Sequence, residues 1–322
     1  MSETPNSLLT HETGNQKIAK KNYDTSNGLW LPSILHLSPY TKGGRGNVCQ
    51  FATVGKRGCA APCLDTSGHG GIGNPKTNTV QLARKRRTKF WFDHPRDFIA
   101  MAVKEIGARI RKAEKLPEYQ GVAIRPNGTS DLLDMAEILI DACDNHYPGA
   151  NLVFYDYTKR PWDFAEYCGW VRPNYHLTLS WSGSDVNALA CIDALRNGCN
   201  VAAMHEAKGR HRHDKNWEPG DVALITGVRP SDSRLEGIRT FDADAHDLRF
   251  LDQLDWEDES LNYGRIGILK PKGKAKNSSW PGFAGQWVRH ANRRLVSDPE
   301  FSLALTPREL IHGNRLQPNR MG

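Results

Sequence analysis

Residues 121–160, GVAIRPNGTSDLLDMAEILIDACDNHYPGANLVFYDYTKR, decide how the chain is read. An apolar run stops at a polar, glycine-containing turn. LLDMAEILIDACDNH then carries apolar residues at helical spacing, and NLVFYDYTKR is a second apolar run that closes on polar groups. Strand, turn, helix and strand in this order make a βαβ unit, whose two strands run parallel because the helix carries the chain back.

The same alternation extends in both directions. Toward the C-terminus, WDFAEYCGWV reads as a short helix and NYHLTLSWSG as a strand. SDVNALACIDALRNG is a helix with its N-cap at Ser184 or Asp185 and its stop at Gly198. CNVAAMHEAKG, DVALITGV and RIGILKPKG read as further strands. Toward the N-terminus, GLWLPSILHLSP is a first strand ending at Pro39, and a helix is predicted from near Asn78 or Thr79. Helical signals flank Pro95, with Phe98, Ile99, Ala102, Val103, Ile106 and Ile110 at helical spacing beyond it. About seven strands alternating with helices predict an α/β fold, a whole or partial (β/α) barrel, with an open doubly wound sheet as the alternative. Residues 1–26 read as a flexible lead-in, 27–290 as a single catalytic barrel-like domain, and 291–322 as a basic extension.

Directly after the first strand comes CQFATVGKRGCAAPCLDTSGH, residues 49–69. Cys49, Cys59 and Cys63 fall in a C-x9-C-x3-C pattern among glycines and prolines, where no ordinary core can form. Soft thiolates converging from several directions suit zinc or an iron–sulfur cluster. His69 is a possible fourth zinc ligand, whereas a cluster that keeps one iron open needs only the three thiols. The alternatives are small buried apolar residues or a disulfide.

Apolar residues at 39% suffice for a core, and charged residues at 25% suit a soluble globule. No apolar run approaches the roughly 18 residues of a membrane span. The N-terminal stretch MSETPNSLLTHETGNQKIAKK lacks the apolar core of a signal peptide, so an intracellular protein is expected, whose thiols stay reduced. A formal net charge of +7 suits an anionic partner, nucleic acid above all. ARKRRTKFW, with five basic residues beside aromatics, is either a solvated helix face or a surface that grips phosphates.

In parallel α/β folds the chemistry sits beyond the carboxyl ends of the strands. There this sequence places Asn127, Thr129, Ser130 and Asp131, then Asp156, Lys159 and Arg160, then Ser180, and finally Lys270 and Lys272. Asp131 either caps the following helix or is held for chemistry. Asp156, between two tyrosines at the end of an apolar strand, is either paired with a cation or functional. Asp242, Asp244 and Asp247 read as an exposed acidic loop or a cation site, and HEAKGRHRHDKNW as a mobile polar loop.

The succession NVC…GCAAPCLDTSG, ARKRRTKF, RPNGTSD, YDYTK, NYHLTLSWS, DADAHDLRFLD and KPKGKAK, from about Asn47 to Phe283, resembles the bacteriophage family named after the gene 88 product of mycobacteriophages. The resemblance implies a phage origin and the host-cell cytoplasm. Two enzyme classes fit it. The leading expectation resembles phage DNA guanine transglycosylases, which exchange guanine for a 7-deazaguanine base of the preQ0 type and carry a structural zinc. Asp131 and Asp156 would then be the nucleophile and the second acid, and DNA would be gripped by basic residues while the base is turned out. In the tRNA enzymes the zinc cysteines lie late, as C-x-C-x2-C, whereas here they lie early. The alternative resembles radical S-adenosylmethionine enzymes, whose three cluster cysteines follow the first barrel strand and whose next polar turn, here Asn127 to Asp131, grips the methionine amino group. That superfamily mostly uses C-x3-C-x2-C. A non-enzymatic, zinc-stabilised DNA-binding protein is the third class.

Overall fold

The parallel strands expected around the 121–160 unit form one sheet. The computed structural model describes residues 4–11, 28–54, 58–60, 63–160, 169–182, 185–205, 240–252, 264–269, 272 and 284–285. Its strands are β1 (Leu9–His11), β2 (Leu29–Leu35), β3 (Tyr119–Arg125), β4 (Leu152–Thr158) and β5 (Trp170–Arg172). Then come β6 (Tyr175–Ser180), β7 (Val201–His205), β8 (Thr240–Asp242), β9 (Ile266–Leu269) and β10 (Ala284–Gly285). The helices are α1 (Thr79–Asp93), α2 (Pro95–Glu114), α3 (Leu133–His146) and α4 (Asp185–Arg196).

The order across the sheet is β1-β2-β3-β4-β6-β7-β9-β8, with β5 beside β6 and β10 beside β7. Every pairing is parallel except β1 with β2 and β5 with β6. From β2 to β7 the chain steps across the sheet in one direction only, so right-handed crossovers put the helices on one face. That excludes the doubly wound alternative, which reverses direction. It is also not a closed barrel among the described residues: β1 occupies the outer edge of β2 that closure would need. The α/β class therefore holds, as an open, singly wound sheet.

Two layers bury the sheet. On the helix side Leu31, Val122, Ile124, Phe154, Leu177 and Val201 meet Phe98, Ile106, Met135, Leu139 and Leu195. On the other side Trp30, Ala123 and Tyr155 pack under Leu248 and Phe250, the latter in the single turn Arg249–Leu251. Burial on both faces is why the strands read as continuous apolar runs.

Local chemistry sets the helix ends. Asn78 caps α1, accepting from Gln81 N at 3.0 Å, while its Nδ2 donates to the carbonyls of His69 (2.7 Å) and Ile72 (2.8 Å). Asn78→Ala removes all three bonds and is expected to cost about 1–2 kcal/mol, read as a lower urea midpoint at unchanged slope. Pro95 takes the first position of α2, which fixes the break after Asp93. Gly198, at φ +81, closes α4 as the sequence predicts.

Several readings change. Leu9–His11, assigned to the lead-in, pairs with β2, and Leu8 and Leu9 are buried with their amides on the Glu105 carboxylate. Trp170 and Val171, read as the end of a short helix, belong instead to a strand, because the Pro173–Asn174 turn folds it back on β6. The DVALITGV strand, the polar loop beyond His205, and Lys270 lie outside the described residues. Asp244 and Asp247 of the acidic stretch are buried rather than on an exposed loop. Asp247 is buried, pairing with Arg125 (3.2 Å) and the Tyr155 hydroxyl (3.2 Å), and Asp244 pairs with Lys272 (3.1 Å).

Candidate functional site at the carboxyl ends of the strands

The site is built on the turn after β3. Gly128 is pressed so closely against Ile34 and the Leu35 carbonyl that no side chain fits. Its amide donates to Leu35 O at 2.9 Å, locking the turn to the end of β2. Asn127 organises the remainder: its Oδ1 accepts from Ser130 Oγ (2.7 Å) and Leu132 N (3.0 Å). Thr129 Oγ1 donates to Leu37 O.

Asp156 holds Asn127 from the neighbouring strand. Its Oδ1 accepts from Asn127 N at 2.8 Å, and its Oδ2 accepts from Asn127 Nδ2 (2.9 Å) and the Tyr175 hydroxyl (3.0 Å). Complete burial pushes the carboxyl up to about 7, against the pull of Arg125 and these donors. Every oxygen of this acid is committed.

Asp131 differs. It does not cap α3, whose N-cap is Leu132. Its backbone pairs with Cys49 in an isolated parallel bridge, its amide donates to Val48 O (2.7 Å), and its Oδ2 accepts from Lys159 N (2.9 Å). Its Oδ1 is buried outside ordinary hydrogen-bond geometry, with the Thr158 hydroxyl acting on the carboxylate. Burial raises its pKa, and the nearby Lys159 charge opposes that rise.

Around Asp131 the cysteine loop closes. The Cys49 thiol, 3.8 Å from Thr129 O, accepts from Tyr40 N at 3.4 Å, and burial pushes it up to about 12. Cys59 is buried, and burial also raises the Cys63 thiol, with Asp65 adding to the rise. Ala60 N donates to Thr53 O (3.1 Å), and the Thr53 hydroxyl meets Ser182 Oγ (3.0 Å), tying the loop to the end of β6. Arg160 lies over the Phe51 ring at 5.5 Å. Asp65 pairs with Lys42 at 2.8 Å.

Lys159 directly follows β4, with its amide on Asp131 Oδ2 at 2.9 Å. Burial lowers its pKa, but Cys59, Asp131, Cys49 and Cys63 outweigh this and raise it overall. Among the described residues, no group of three or more His, Cys, Asp or Glu side chains is arranged to hold a metal ion. His69 is exposed on a short turn, tied to Asn78 only through its carbonyl.

The other expected residues divide. Ser180, half-buried, presents its carbonyl to Asn187 Nδ2 at 3.2 Å. Lys272 is engaged with Asp244 near β8 and β9. The basic run of α1 also splits: Arg84 is buried beside Asp65 and Cys63, Arg87 donates to Ser7 O (2.8 Å), and Arg86 and Lys89 face solvent.

Sequence reasoning missed Asn187, which accepts from Ser182 N (2.6 Å) and donates to Lys159 O (3.3 Å), joining α4 to two strand ends. It also missed Arg125, His176 and Arg249, which are buried with Asp247 on the face opposite the helices. His176 inside the apolar run NYHLTLS was the available signal.

Among the described residues no helix is long and apolar enough to cross a membrane. A family model described as Gene product 88 matches residues 7–279. Comparison with curated proteins and with solved structures finds no match.

Proposed function

The chain belongs to the Gene product 88 family, and from the geometry above we propose that it is an iron–sulfur enzyme of the radical S-adenosylmethionine type, with nucleic acid as the partner its charge favours. One observation carries the reading. Cys49, Cys59 and Cys63 follow the first parallel strand, β2, and Cys49 is bridged to Asp131 in the polar turn after β3. The donor chemistry fits a cluster, although the thiols form no preset cage. They are soft ligands, and the burial that disfavours a free Cys49 thiolate is the penalty a bound cation reverses. When bound, the cluster would supply one-electron reduction and radical formation.

The chain's own residues have separable tasks. Asn127, Thr129 and Ser130 shape a hydrogen-bonded polar turn, and Asp131 beside it would be the acceptor for an ammonium or hydroxyl group. Asp156 positions that turn. The long spacer before Cys59 accompanies the pinning of Cys49 to Asp131, which sets this loop apart from the superfamily's compact C-x3-C-x2-C.

A second reading keeps the DNA guanine transglycosylase, and the buried Asp131 Oδ1, less tightly held than either Asp156 oxygen, favours it. That oxygen would bond to the sugar C1′ while the bond to guanine breaks and its electron pair leaves with the base, which takes up a proton. A 7-deazaguanine base would reverse the step. This reading loses support in its second acid, because both Asp156 oxygens are occupied. Zinc on the thiols is its expected metal.

Metal analysis of the full chain purified without oxygen tests the proposal. The expected result is a brown protein with about four irons and four sulfides per chain, lost in Cys63→Ser. A colourless protein with one zinc overturns it, and nucleoside mass spectrometry of co-expressed DNA then separates the transglycosylase from a binding module.

A further inference from the structure

We propose that the groove between α2 and α3 is the docking site for an acidic amphipathic helix of a partner protein. The groove has a volume of about 580 Å³ and is open to solvent. Ile99 and Val103 of α2 and Ile138 and Ala142 of α3 line it, each pair one turn apart, so the apolar surface runs along both helices. Ile138 is 51% exposed, on a helix face where polar residues are the rule. Arg96 and Lys104, two turns apart on α2, also line the groove and stand about 12 Å from each other along the axis. A helix whose apolar stripe runs from i to i+7 spans about 10 Å, which fits that length.

The walls are fixed before anything binds. The Tyr147 hydroxyl donates to Val103 O at 3.2 Å and lies so close to Gly107 that no side chain fits there. Trp91, from the end of α1, meets the Phe98 ring edge-on at 5.4 Å. A preformed surface spares the complex an ordering cost. Charge then selects the occupant. Arg96, Lys104 and His146 line the groove, and among the described residues no carboxylate does. Neighbouring acids are engaged elsewhere: Asp93 with Arg45 (3.0 Å), Glu105 with the Leu8 amide (2.9 Å) and Asp141 with Arg172 (2.7 Å). An isologous second copy of the chain would set these cations against one another. The mainly aliphatic lining suits leucine-type side chains better than nucleobases, which stack on aromatic rings.

The test is selection on the full chain from a displayed library of helical peptides. The library varies apolar residues at i, i+3, i+4 and i+7 and carries glutamate or lysine in equal share at the flanking positions. Glutamate-flanked peptides are expected to be enriched. The best of them, labelled and followed by fluorescence anisotropy, is expected to bind Ile138→Gln about 10-fold more weakly than the unaltered chain. Arg96→Glu combined with Lys104→Glu is expected to turn the preference toward lysine flanks. Should Ile138→Gln fail to fold, Ala100→Gln, at an exposed lining position on α2, takes its place. No enrichment, enrichment of lysine-flanked peptides on the unaltered chain, or equal binding by the folded variant overturns the proposal. Oligothymidylate that binds the unaltered chain and loses affinity in Ile138→Gln also overturns it and gives the groove to nucleic acid. A benzophenone side chain at position 138 that cross-links into the same chain or a second copy overturns it as well.

Discussion

At about pH 8, where the Asp156 carboxyl raised to about 7 is ionised, Asp156→Asn is expected to lose about 3 kcal/mol of folding stability, read as a lower urea midpoint. The substitution is nearly isosteric, so packing is not the cause. Asp156 Oδ2 accepts from Asn127 Nδ2 and the Tyr175 hydroxyl, and an amide group there would set donor against donor. Turning Asn127 over does not relieve the conflict, because its Oδ1 is already engaged by Ser130 Oγ and Leu132 N. Rotating the new amide only moves the clash to the Asn127 backbone N–H. The turn that carries Asp131 loosens, and with it the bridge to Cys49. The outcome also separates two roles. A positioning acid loses stability and thiol-site order together, whereas a proton-transfer acid loses turnover with its urea midpoint intact.

The α/β class was legible because periodicity is a local signal. Apolar GVAI and NLVFY flanking an amphipathic helix admit few arrangements, and β3, α3 and β4 form where the residues place them. Closure was not legible. It depends on what lies against the outer edge of β2, and the short segment Leu9–His11, too brief to show alternation, takes that edge. Chain order alone cannot report such an edge pairing.

The candidate site was half legible for a related reason. Cysteine spacing marked the loop, and the strand-end rule marked Asp131, Asp156 and Lys159. The division of labour among them was hidden in side-chain geometry. Two aspartates of similar local setting came out differently, one accepting three hydrogen bonds and the other held mainly through the Lys159 amide. Asn187 was invisible because an asparagine on a helix looks like a surface residue until its helix docks against two strand ends.

His176→Phe is expected to make the protein more acid-tolerant, with a stability advantage over the unaltered chain that grows by about 3 kcal/mol between pH 7 and pH 4. His176 is buried, and its ring stands 5.1 Å from that of Trp170. Neither ring nitrogen has a hydrogen-bond partner, and Gly169, at φ +95, abuts Nε2. Burial, with the positive charge of Arg249 adding to it, lowers the imidazole to about 3. The unfolded chain protonates this histidine near its ordinary value of about 6.5, so between about pH 6.5 and 3 the unfolded state holds the extra proton and stability falls as pH falls. Asp156 works in the opposite sense. Its carboxyl, raised to about 7, is protonated in the folded state where the unfolded one is ionised. Its contribution is therefore full below about pH 4 and disappears as pH rises through 7. The two largely cancel in the unaltered chain, which shows a shallow profile over this window. Removing the imidazole leaves the Asp156 contribution uncovered, so His176→Phe gains stability on acidification. Parallel pH profiles for the two proteins would mean that His176 carries its proton in the folded state.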